Sequence, residues 1–172
     1  MKTLCIFTDV SVNSQSKIGF GAILTLTAID LQTNNSNFFK NKVKYKIFKS
    51  TSSTKLEIET LLWAMEEIIK SYLSSNLYDN LLIYTDSQCI AGLLNRREKM
   101  EKSNYKSIGK NKALNHAALY KQFYHFYDLL NFKIIKLEGH SKSSLKDNLH
   151  NFFSLVDKGS RKALKNYIRK LS

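Results

Sequence analysis

The sequence predicts an α/β protein, with a five-stranded mixed sheet flanked by helices and its first three strands antiparallel. Three observations carry this. Three β-rich stretches follow one another inside the first 50 residues. Two later apolar stretches, 81–85 and 132–138, each follow a long helical segment, and strands joined by helical crossovers lie parallel. The stretches 54–73, 114–130 and 149–171 repeat apolar residues at the helical i, i+3, i+4 spacing.

In chain order, residues 2–10 form a short apolar strand that ends at Asp9. Residues 18–29, "IGFGAILTLTAI", form the second, where Gly19 and Gly21 let the backbone turn and approach a neighbour closely. Residues 37–50 alternate Val43, Tyr45 and Ile47 with Lys42, Lys44 and Lys46, the period of a strand with one wet, basic face. "DLQTNN" suits a hairpin connection between them. A helix over 54–73 carries Ile58, Leu61, Leu62, Met65, Ile69 and Tyr72 on one stripe. Strand four, 81–85, leads into a helix beginning at 87–95. The stretch 95–112, "NRREKMEKSNYKSIGKNK", has seven basic residues against two acids and no apolar stripe worth burying. Helix 114–130, strand 132–138 and an amphipathic helix 149–171 complete the order βββαβααβα.

A chain of 172 residues without proline, repeats or a linker favours one domain over 1–172, large enough to fold without a disulfide or structural metal. Lys and Arg number 27 against 14 Asp and Glu, a formal charge of +13, which points to a polyanionic partner, nucleic acid or anionic membrane. Cys5 and Cys89 lie in apolar runs and fit buried thiols of a reducing compartment. The N-terminal apolar run reaches an acid at position 9, too early for a signal peptide, and no run of about 18 apolar residues exists to span a membrane. A soluble, cytoplasmic monomer is expected.

Four acids do not fit a bland reading. Asp9 and Asp86 both close apolar strands behind threonine, in "IFTD" and "IYTD". On parallel neighbours their carboxylates would meet at the carboxyl ends of the strands, where open α/β sheets place their ligand sites. A turn or helix-cap aspartate is the alternative for each. Glu57 completes a T-x-x-E capping box from Thr54, yet shares its helical row with Leu61, Ala64 and Ile68 and so points partly toward the sheet, while Glu59 falls on the polar face. Asp157 stands alone in a basic helix, with Arg161 one turn on as an ion-pair partner. Carboxylates converging on one spot stay ionised only with cations between them, and oxygen-only ligands suit two Mg²⁺ ions, with Mn²⁺ a substitute. Such a pair hydrolyses phosphodiesters.

The segments "IFTDVSVN…GFGAIL", "SSTKLEIETLLWAMEEI", "LLIYTDSQCIAGL", "GHS" and "DKGSRKAL" stand in the order of the type 1 ribonuclease H family, which the sequence resembles over nearly its whole length. The resemblance implies a ribonuclease H-like sheet of order 3-2-1-4-5. It implies endonucleolytic hydrolysis of the RNA strand of RNA–DNA hybrids with two Mg²⁺ ions, leaving 5′-phosphate products. Residue by residue, Asp9, Glu57, Asp86 and Asp157 resemble the family's metal-binding acids, and His140 its loop histidine. Asn13, Ser52, Ser53, Thr54 and Gln88 resemble its substrate contacts. The basic segment at about 95–115, with Arg96, Arg97, Lys99, Lys102 and Lys106, resembles the family's handle, Tyr105 being its aromatic. The chain departs from the family at Val10, where glycine is usual, and in the missing Gly-Pro turn of the first loop. The gap from His140 to Asp157 is also long, so "SKSSLKDNLHNFF" reads as an extended loop plus extra helix. Asp147 is thereby a rival fourth acid, with Asp157 preferred because Asp147 falls in a loop. A non-catalytic nucleic-acid-binding module, or a resolvase- or transposase-like nuclease acting on DNA, are the alternatives on the same fold.

Overall fold

Strand pleat decides the layering, because successive side chains point to opposite faces. In β1 (Thr3–Asn13), Leu4 and Ile6 enter one core while Cys5 and Phe7 enter another. β4 (Asn80–Thr85) repeats the pattern, with Leu81 and Ile83 in the first core and Leu82 and Tyr84 on the second. The first core is closed by α1 (Ser53–Tyr72) and α4 (Ala117–Leu130), and the second by α5 (Ser144–Leu171). With β2 (Ile18–Thr27), β3 (Lys44–Phe48) and β5 (Lys133–Lys136) the sheet has the order β3-β2-β1-β4-β5. β1 is antiparallel to β2 and parallel to β4, and β2 is antiparallel to β3. The computed structural model describes residues 2–33, 35–72, 78–107, 109, 112–137 and 144–171, the side chains of residues 72 and 144–147 excepted.

The glycines of β2 serve close approach. A Cβ on Gly21 would lie 2.1 Å from Thr60 Oγ1, and one on Gly19 would lie 2.4 Å from Leu56 Cδ2, so α1 rests directly on bare backbone. Neither marks a turn, since both are paired within β2.

Several elements differ from the sequence expectation. β1 does not end at Asp9. It has β2 as antiparallel partner as far as Asn13↔Ile18, whereas its pairing with β4 stops at Phe7↔Tyr84. The third strand is short, because Ser36–Lys42 is a 3-10 helix. The Asn35 carboxamide accepts the Asn37 N–H (3.1 Å) at its start, and Phe39 is buried against Phe152 with ring centroids 5.6 Å apart. The "DLQTNN" connection holds a further 3-10 turn, Asp30–Gln32, where the Asp30 carboxylate accepts from the backbone and hydroxyl of Thr27.

The basic stretch is folded, and it does carry buried anchors. After α2 (Gln88–Ala91) and a break at Gly92, α3 (Leu93–Lys102) buries Leu93 and Met100. Beyond it Lys106 and Ala113 form an antiparallel bridge, and the Leu114 N–H donates to Tyr105 O (2.7 Å). Tyr105 is buried beside Tyr124 of α4, with Lys121 over its ring, so it is a packing residue and not an open aromatic. α5 begins at Ser144, which places Asp147 in a helix and not in a loop. Among the described residues no helix is long and apolar enough to cross a membrane.

Candidate active site

Pleat and register together bring Asp9 and Asp86 side by side. Asp9 continues the Cys5, Phe7 face of β1, and Asp86 continues the Leu82, Tyr84 face of β4. Two residues beyond the last paired couple, Phe7↔Tyr84, the same register sets Asp9 against Asp86 on the α5 side. Phe7 and Tyr84 stack at 4.8 Å directly beneath, and Phe152 packs on Phe7 at 6.0 Å, which fixes α5 over this end of the sheet.

α5 then supplies the third corner. The fully buried Ser160 has its Oγ 2.9 Å from Asp9 Oδ2 and 3.0 Å from the Asp157 carbonyl. A hydroxyl carries one hydrogen, and a carboxylate is the stronger acceptor, so Ser160 donates to Asp9. Asp157, one turn earlier, pairs with Arg161 at 2.6 Å, the i, i+4 partner expected from sequence. Asp147 stands in the first turn of α5, before Asn148. Its neighbour Asn148 donates to Leu31 O (2.6 Å), and residue 31 follows the end of β2 that pairs with Leu4, remote from Asp9. Asp157 is therefore the acid of α5 at the cluster.

Glu57 enters from α1. Its row of Leu61, Ala64 and Ile68 is buried as expected, and it does not close a capping box. Ser52 Oγ accepts the Lys55 N–H at the helix start, and Glu57 instead accepts from Ser87 Oγ at 2.6 Å. Ser87 in turn accepts the Ile90 N–H as N-cap of α2, so the capping role open to Asp86 is taken by its neighbour. Glu59 turns away to Thr51 and Lys55.

Asp9, Glu57, Asp86, Thr8, Thr85 and Ser87 line a hollow of about 20 Å³, room for one water or one small ion. Burial first, and then the charges of Asp86 and Asp157, push the Asp9 carboxyl up to about 6 despite the Ser160 hydrogen bond. Asp86 is raised for the same two reasons, opposed by Arg161 and Lys136. Carboxylates raised by burial and by each other are a donor set that a hard divalent cation would neutralise, and all their ligand atoms are oxygen. As the side chains stand, with Glu57 turned to Ser87 and Asp157 to Arg161, no three acids among the described residues form a finished ligand set.

The expected substrate contacts divide. Ser52, Ser53 and Thr54 are exposed at the start of α1, on the same end of the sheet as the acids. Gln88 begins α2 two residues after Asp86 and accepts from Lys136 Nζ (2.6 Å). The Asn13 carboxamide accepts the Gln15 and Ser16 N–H groups, and so shapes the β1–β2 turn in the absence of a Gly-Pro sequence. Arg96 is tied to the carbonyls of Gly92 and Cys89, and Arg97 forms a two-point pair with Asp128 as well as bonding Glu101. Both guanidiniums are thus engaged in holding α3 to its neighbours. Lys102 pairs with Glu98, while Lys99 and Lys106 are exposed. His140 lies outside the described residues. Sequence reasoning missed Ser87, Ser160 and Lys136. The first two show only as serines within three residues of an acid, a signal too common to single out.

A mixed sheet of this order with Asp9 within β1 and Asp86 just past β4 lining one hollow defines a ribonuclease H-like nuclease scaffold. The chain belongs to the RNase H family, whose model matches residues 1–156, ending one residue short of Asp157. The family are hydrolases that generally work with divalent metal ions. Among solved structures, the chain is similar to a foamy viral protease-reverse transcriptase in complex with dsDNA (TM-score 0.59, 16% identity, covering 92% of this chain and 93% of that one). The PFV RNase H domain in solution gives a TM-score of 0.58 at 16% identity, covering 93% and 94%. The foamy viral enzyme with an RNA/DNA hybrid gives 0.56 at 14%, where this chain spans only 20% of the other. At these identities the likeness is one of fold. Curated protein sequences give no match.

Proposed function

We propose that the protein is an endoribonuclease that hydrolyses the RNA strand of RNA–DNA hybrids, leaving 5′-phosphate ends. The observation that carries the reading is the hollow that Asp9 of β1, Asp86 beyond β4 and Glu57 of α1 line together, with Asp157 of α5 near enough for its charge to raise both aspartates. Membership of the RNase H family and the charge of +13 support the substrate class.

Asp9, Glu57, Asp86 and Asp157 would hold two Mg²⁺ ions, or Mn²⁺, which when bound would activate a water and stabilise charge on the departing 3′ oxygen. Ser160 and Ser87 orient Asp9 and Glu57 by donating to one oxygen of each. Arg161 and Lys136, the cations beside Asp86, draw phosphate toward the hollow. Ser52, Ser53, Thr54 and Gln88 would meet sugar and base edges, and His140, outside the described residues, would move the proton. Discrimination of RNA from DNA rests on contacts to the 2′-hydroxyl.

Asp86→Asn is the direct test: Mg²⁺-dependent cleavage of a labelled hybrid disappears while hybrid binding survives. A variant that cuts at the wild-type rate overturns the assignment. The Arg161–Asp157 pair favours one second reading, a binding module that does not cut. Hybrid, double-stranded RNA and branched DNA, each assayed with and without Mg²⁺, separate the hybrid nuclease from that module and from a DNA-directed nuclease.

A further inference from the structure

A second feature lies around the other side of α5. The 3-10 helix Ser36–Lys42 and α5 enclose a groove of about 920 Å³ beside the edge strand β3. Lys40, Lys158 and Lys162 line it together with Asn37, Asn166 and Tyr45, and no carboxylate does. The three lysines are exposed, and among the described residues none is in an ion pair. By contrast Lys44, in the neighbouring hollow, is held by Glu67 at 2.7 Å.

The groove is built. Phe39 anchors the 3-10 helix in the core against Phe152. At Gly159 a Cβ would stand 2.6 Å from the Tyr45 hydroxyl, so only a glycine lets the Tyr45 ring lie against α5 as the floor. Lining residues on α5 run from Asn151 to Asn166, about 22 Å at 1.5 Å per residue, long enough for about four to six nucleotides. Phe38, next in sequence to the lining Asn37, is 74% exposed and offers a stacking face at the rim. Ammonium groups along a trough, amide donors and acceptors between them, and one open aromatic match a phosphodiester backbone with unpaired bases.

We propose that this groove is a second nucleic-acid site, one that holds a single strand, separate from the carboxylate hollow. The two sites share α5 but use different sides of it, with Asp157 and Ser160 facing Asp9 while Lys158 and Lys162 face β3. The proposal stands on the groove's own chemistry and does not require cleavage.

The test is fluorescence anisotropy of a labelled single-stranded 12-mer on the full chain, in chelator so that cleavage plays no part. The triple variant Lys40→Glu/Lys158→Glu/Lys162→Glu is expected to weaken binding at least tenfold. Lys2→Glu/Lys70→Glu/Lys133→Glu, the same charge change at lysines that do not line the groove, is expected to weaken it less than threefold. Equal losses in both would mean net charge alone and would overturn the proposal. Photocrosslinking of a bromouracil strand to the wild-type chain needs no variant: adducts within 36–45 or 151–166 support the groove, and adducts only elsewhere overturn it. Asp86→Asn is expected to bind the single strand as wild type does, so a chain that cuts no hybrid still answers the question.

Discussion

Asp9 is where burial, charge and hydrogen bonding oppose one another most directly. Its carboxyl is pushed up to about 6 in the fold by burial and by Asp86 and Asp157, against an ordinary value near 3.8. Between those two values the folded chain holds a proton that the unfolded chain has lost, so this group's contribution to stability falls as pH rises from about 4 to 6 and is flat above. Full expression of the shift costs at most about 3 kcal/mol. Asp9→Asn keeps the shape and the Ser160 contact but removes the charge. In chelator it is expected to unfold at higher urea than wild type at pH 7.5, with the difference shrinking toward zero at pH 4, measured by urea titration at both values. Equal midpoints at pH 7.5 would mean that Asp9 is not strained by its neighbours. Added Mg²⁺ should raise the wild-type midpoint and leave that of Asp9→Asn closer to its metal-free value, since a cation offsets the same repulsion.

At the level of elements, the seam between α1 and β2 leaves no room for a side chain at Gly21. Thr60 meets Gly21 there, and its buried Oγ1 has no hydrogen-bond partner among the described residues. An unsatisfied buried hydroxyl costs about 1–3 kcal/mol, so Thr60→Val, which keeps the shape, is expected to stabilise by about 1 kcal/mol. Gly21→Ala should destabilise by about 1–3 kcal/mol, because the new methyl meets the helix itself and the seam cannot open without moving α1. Thermal melts of both variants check the pair of opposite signs. The strands around this seam were legible as continuous apolar, β-rich runs, and the matched contexts "IFTD" and "IYTD" paired Asp9 with Asp86. The 3-10 helix Ser36–Lys42 was not legible. Its cap is local, but its reason is Phe39 against Phe152, a contact between segments far apart in sequence. The choice of Asp157 over Asp147 likewise needed Asn148 on Leu31 and Ser160 on Asp9, two contacts that no spacing reveals.

Across the whole molecule, the net charge of +13 sits only in part where the sequence first suggests. Arg96 and Arg97, the most conspicuous cations of the basic stretch, are bound to backbone carbonyls, Asp128 and Glu101. Their density in sequence reflects the fastening of α3, whose pairing no single-sequence pattern announces. Exposed charge lies along α5, in the groove lysines, and at Lys99, Lys102, Lys106 and Lys112 beyond the Arg96–Arg97 joint. Binding of a hybrid in chelator is therefore expected to weaken steeply with salt, with log K falling by about 0.9 per phosphate contact for each unit of log salt. Lys99→Ala should flatten that slope by about one contact and leave the melting temperature unchanged. Arg96→Ala should leave the slope unchanged and lower the melting temperature, because it releases two carbonyls without removing a phosphate contact. Anisotropy titrations at four salt concentrations, paired with melts, read both quantities, and a lowered slope for Arg96→Ala with an unchanged melt would reverse the division between fastening and grip.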